Sequence, residues 1–88
     1  MTDSTRYIGL DVHAKTIAIA VAQEGREAAM FVSSVPNDLT RLLTVLDKLG
    51  PRGSLRCAYE AGPTGYGLQR ALAKAGVSCQ VVRYVVSP

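Results

Sequence analysis

The chain has no tryptophan, a single histidine and only two cysteines among its 88 residues. Two cysteines are too few for a disulfide scaffold. Cys57 and Cys79 stand far apart in sequence, with no CxxC or Cys/His spacing, so a zinc site has nothing to start from. Apolar residues stand two positions to either side of each, which points to buried free thiols in a reducing compartment. No apolar run approaches the roughly 20 residues of a membrane span, and the polar opening MTDSTR lacks the apolar core of a signal peptide. A cytoplasmic location is therefore expected. Neither sign of charge dominates. The formal net charge is +3, but the Lys and Arg residues are scattered and form no basic run; a polyanionic partner is compatible with this balance and not demanded by it.

What is present is the composition of an ordinary globular chain, 48% hydrophobic and 19% charged, of a length that makes one small domain or part of a larger one. Residues 6–12 (RYIGLDV) and 16–22 (TIAIAVA) read as two strands joined by the short link HAK, a hairpin. A turn at Gln23-Glu24-Gly25-Arg26 leads to a third strand over 27–33, giving an antiparallel meander. The period then changes. Leu39, Leu42, Leu43, Leu46 and Leu49 recur at helical spacing after a helix start at Pro36-Asn37-Asp38, and Gly50-Pro51 ends the helix. That leucine stripe is core, being too short for a coiled coil. LRCAYEA (55–61) is a buried-type strand, a second helix runs from a Thr64 cap to about Lys74 with Gly76 as its stop, and 78–86 is the last strand. The string is β-β-β-α-β-α-β. Strand–helix–strand units are crossovers between parallel strands, so the expected sheet is mixed, with order 3-2-1-4-5 and helices on its faces. That is the ribonuclease H-like arrangement of an α/β fold.

In such a sheet the order reverses beside the first strand, and open α/β sheets bind ligands outside the carboxyl ends of strands at that point. Asp11 lies near the end of strand one and Glu60 near the end of strand four, predicted to be about one strand spacing, roughly 4.8 Å, apart. Two carboxylates so close repel unless a cation joins them. Their hard oxygens suit Mg²⁺ or Mn²⁺, and such ions stabilise the attacking and leaving oxygens of a phosphodiester displacement. Against this, either acid alone reads as a solvated strand-end residue. His13 follows Asp11 by two, placed to contact a phosphate or orient the acid, or else as a plain turn residue; Lys15 at the hairpin tip is a phosphate contact or a solvated lysine. Glycines before a helix expose backbone N–H groups to an anion, but GPTGYG (62–67) lacks the ending of a Walker motif and reads sooner as a strand-to-helix turn, with Tyr66 expected to pack at the helix start sooner than to stack on a base.

The segments YIGLDVHAKTIAIAV and YEAGPTGYGLQRALAKAG resemble the N-terminal DEDD, RuvC-like domain of insertion-sequence transposases of the insertion sequence one-ten group, related to Piv-type DNA invertases. The resemblance runs from Tyr7 to about Val82. It implies a ribonuclease H-like domain with four metal-binding acids, of which Asp11 matches the first and Glu60 the second, and it implies Mg²⁺ or Mn²⁺, DNA as partner and, in many members, an element-encoded guide RNA. The other two acids of that family lie in a Lys-Thr-Asp-x-x-Asp segment after the fifth strand, which these 88 residues do not contain. The chain is accordingly expected to be an N-terminal fragment that binds metal weakly and cuts DNA poorly or not at all alone. Apolar surface left exposed would favour a homo-oligomer. Two other readings stand beside it. One is a non-catalytic interaction module. The other is an actin-like ATPase or sugar kinase of the same fold, whose similar opening strand pair carries a glycine where this chain has His13; a Cβ there would hinder approach of ATP phosphates.

Overall fold

The computed structural model describes residues 5–22, 29–60 and 65–82. Strands β1 (Arg6–Val12) and β2 (Thr16–Ala22) form the hairpin, and β3 (Ala29–Pro36) extends the meander. Helix α1 (Leu39–Leu49), a 3-10 turn at Arg52–Ser54, β4 (Leu55–Glu60), α2 (Gly67–Lys74) and β5 (Ser78–Val82) follow. The five strands make one sheet in the order β3-β2-β1-β4-β5, antiparallel among the first three and parallel from β1 through β4 to β5. This is the ribonuclease H-like order expected from the sequence.

Period-two alternation decides which side chains go inward. Ile8 and Leu10 on β1, Ile17, Ile19 and Val21 on β2, and Leu55, Cys57 and Tyr59 on β4 are buried on one face, where Leu42 and Leu46 of α1 and Leu72 of α2 join them in a single core. Both helices thus lie on one face, not on the two faces expected. The opposite face presents Tyr7, Gly9 and Asp11 of β1, the alanines 18, 20 and 22 of β2, and Arg56, Ala58 and Glu60 of β4. No described element covers it, and a Cβ built on Gly9 would meet nothing within 4 Å.

Helix α1 begins where Asp38 accepts the Arg41 backbone N–H at 3.3 Å, satisfying one of the free donors of the first turn. Its Leu39, Leu43 and Leu49 pack partly against the core, so the leucine stripe is a core face. Helix α2 ends in a Schellman motif: Gly76, at φ +90°, donates to Ala73 O, and Val77 donates to Leu72 O at 2.9 Å. Leu72 and Val77, both buried, supply the apolar contact that accompanies this motif. Arg52 ties the two helix ends together, donating to both Asp47 oxygens and to Ala75 O; the same contact holds the Asp47 carboxyl below its ordinary range.

Two boundaries differ from those read in the sequence. Strand β3 continues to Pro36 instead of stopping at residue 33, because a bulge restores its pairing: Ile19 faces Ser33 and Ala20 faces Phe31, leaving Val32 as the extra residue. Pro36 is tolerated at the end of an edge strand, where no ladder N–H is required. Helix α2 starts at Gly67 with Tyr66 at its cap and no side-chain capping bond. The expected Thr64 cap, the turn at 23–26 and the continuation of β5 over 83–86 lie outside the described residues.

Cys57 and Cys79, distant in sequence, are direct register partners on β4 and β5, and both thiols are free. Burial, and for Cys57 also the neighbouring Cys79, push the thiols up to about 12 and about 11. A thiol raised above its unfolded value holds its proton longer in the folded chain, so its contribution to stability falls as pH rises from about 9, the unfolded range, toward those values.

Two outcomes follow from this packing. Leu46→Ala should lower unfolding free energy by about 2–5 kcal/mol in urea titrations, whereas Lys48→Ala on the exposed side should change it by less than about 0.5 kcal/mol. Native Cys57 should react with iodoacetamide at neutral pH far more slowly than the urea-unfolded chain does; equal rates would show the thiol is not held as the packing requires.

Candidate functional site

The parallel ladder between β1 and β4 sets the site. Its pairs run Arg6↔Leu55 through Leu10↔Tyr59, so Asp11 and Glu60 are the next residues in the same register. Asp11 continues the alternation of Tyr7 and Gly9, and Glu60 that of Arg56 and Ala58, which sets both on the uncovered face at the carboxyl ends of neighbouring strands. Strands in a sheet lie roughly 4.8 Å apart. Both carboxylates are solvent-exposed. Asp11 is flanked by Ala18 on β2 and Glu60 by Val82 on β5, neither of which supplies a competing charge.

His13 Nε2 lies 3.2 Å from Asp11 Oδ2, the two side chains being 61% and 73% exposed. An exposed pair of this kind adds little to stability. Lys15 is exposed at the same hairpin tip. The structure therefore brings His13 to Asp11, puts Lys15 on the link beside them, and sets Glu60 on the adjacent strand. Among the described residues no three His, Cys, Asp or Glu side chains gather closely enough to hold a metal by themselves. Two oxygen donors are what this segment offers, a set suited to a hard cation that keeps several of its waters.

Two residues that the sequence did not single out support this edge. Tyr59, buried immediately before Glu60, donates its hydroxyl to Gly65 O at 2.7 Å and accepts the Gln69 N–H at 3.2 Å. It thereby ties the end of β4 to the start of α2. Asn37 binds the hairpin tip from the other side. Tyr59 was legible only as a strand aromatic, and Asn37 only as part of a helix start. Tyr66, expected to pack, is instead 45% exposed at the cap of α2.

Over 74 residues, 83% of its length, the chain is 34% identical to the transposase for insertion sequence element IS1533 of Leptospira borgpetersenii. The chain is similar to an insertion-sequence transposase. It spans 21% of that relative's length. No protein-family profile matches it. Among solved structures, YeaZ from Pseudomonas aeruginosa superposes with a TM-score of 0.52 at 22% identity, over 90% of this chain and 44% of that one. A second Pseudomonas aeruginosa protein, described as uncharacterized with similarity to peptidase YeaZ, gives the same TM-score and identity over 90% and 43%. At that identity the likeness speaks for the fold alone. No helix among the described residues is long and apolar enough to cross a membrane.

Tyr59→Phe keeps the buried ring and removes both hydroxyl bonds. It should lower stability by about 1 kcal/mol and speed hydrogen exchange at the Gln69 amide, while exchange at β1 and β2 amides follows only the global change.

Proposed function

We propose that the chain is the N-terminal part of an insertion-sequence transposase of the DEDD type, in which Asp11 and Glu60 contribute the first two acids of a divalent-metal site for DNA strand cleavage and transfer. The observation that carries this reading is the shared register and shared face of the two acids at the carboxyl edge of β1 and β4. The similarity to the transposase of insertion sequence element IS1533 supports it.

Asp11 and Glu60 would hold Mg²⁺ or Mn²⁺, each through a carboxylate oxygen. When bound, such a cation supplies the positive charge that stabilises the attacking and leaving oxygens of a phosphodiester displacement. The protein's own share is placement. Backbone pairing fixes the spacing of the two carboxylates, His13 orients that of Asp11, and Lys15 meets a DNA phosphate, a contact that positions the strand without reading its sequence. With two of the four acids that the resemblance implies, Asp11 and Glu60 alone bind the cation weakly and support DNA cleavage poorly or not at all.

Calorimetric titration with Mn²⁺ tests the assignment. The chain should bind one ion weakly, and Asp11→Asn and Glu60→Gln should each abolish the measurable heat. Curves for both variants that overlay the unsubstituted chain would contradict the reading.

A further inference from the structure

The hairpin tip between β1 and β2 is held by one distant residue. Asn37 follows the last residue of β3 and precedes Asp38, the N-cap of α1. Its side-chain amide donates to His13 O at 2.7 Å and reaches Ala14 O at 3.5 Å, and its backbone N–H donates to Lys15 O at 2.9 Å. All three carbonyls of the link thus face Asn37, from 22 to 24 positions away in sequence. Within the link, His13 N–H donates to Thr16 O at 2.8 Å. A three-residue link would otherwise sample several turn conformations; here its backbone is fixed from both sides.

We infer that Asn37 is a positioning residue for the carboxylate edge: by locking the backbone of residues 13–15 it keeps the His13 ring against Asp11 and Lys15 alongside. The amide suits this task because its NH₂ group carries two N–H donors on one nitrogen, enough for both carbonyls. Aspartate, nearly identical in shape, would turn acceptors toward acceptors. Groups that orient a metal-binding side chain from outside the ligand set commonly matter to metal affinity. The metal-related part of this inference rests on the function proposed above; the ordering of His13 does not.

The chain's single histidine makes the test direct, since a sample labelled with ¹⁵N in histidine gives one imidazole spin system. At one fixed pH and without metal, its Nε2 and Hε1 shifts in the native chain should differ from those in the urea-unfolded chain. Asn37→Ala should move them most of the way to the unfolded values, and Asn37→Asp should do the same although it preserves size. Exchange protection of core amides in β1 and β4 should persist in both variants, showing that the fold is kept. Native-like imidazole shifts in Asn37→Asp would overturn the inference, because the donor bonds would then not be what holds the ring. Adding Mn²⁺ separates the two readings. It should broaden the imidazole resonance in the unsubstituted chain and broaden it less in Asn37→Ala. Absence of broadening in the unsubstituted chain would contradict the metal reading, while the metal-free shifts decide the role of Asn37 on their own.

Discussion

The parallel pairing of β1 with β4 is the constraint on which the rest depends. A carboxylate at the end of either strand alone is an unremarkable solvated group. Register turns the two into neighbours: with Leu10 opposite Tyr59, Asp11 and Glu60 share a face and a level. A slip by one residue would send one of them to the helix-bearing side, where a charged group would enter the apolar core at considerable cost. The buried rows of β1 and β4 therefore protect the alignment of the acids. The buried core rows and the two exposed acids occupy opposite faces of the same strands.

That division also explains the shape of the sheet. One face is filled by aliphatic side chains under two helices. The other carries glycine and alanine along β1, β2 and β4, with Tyr7 and Phe31 exposed at 47% and 65% and the two acids at one end. Around the acids, the hairpin tip is anchored by Asn37 to the β3–α1 corner and the end of β4 by Tyr59 to α2. Both anchors are hydrogen bonds from side chains outside the carboxylate pair. The edge is thus tied to the two flanking crossovers.

Much of this was legible in the sequence. The first two strands were readable to the residue because isoleucines, leucines and valines alternate with small or polar residues, and α1 because its leucines return at helical spacing after a capping aspartate. The joint position of Asp11 and Glu60 followed from topology once the strand–helix–strand order was read. Other features were hidden for physical reasons. The end of β3 depends on a bulge opposite Ile19 and Ala20, which no local pattern announces. The start of α2 lacks a capping side chain at Tyr66. The pairing of Cys57 with Cys79 needs the register of β4 and β5, and the role of Asn37 needs contacts more than twenty residues away. Placement of both helices on one face is likewise a property of the crossovers, not of either helix's own periodicity.

The most direct measurement of the central claim is the position of a bound ion. Crystals of the chain soaked in Mn²⁺ and measured for anomalous scattering should show a peak in contact with carboxylate oxygens of both Asp11 and Glu60. A peak bound to one of them alone, or lying elsewhere on the molecule, would contradict the shared site.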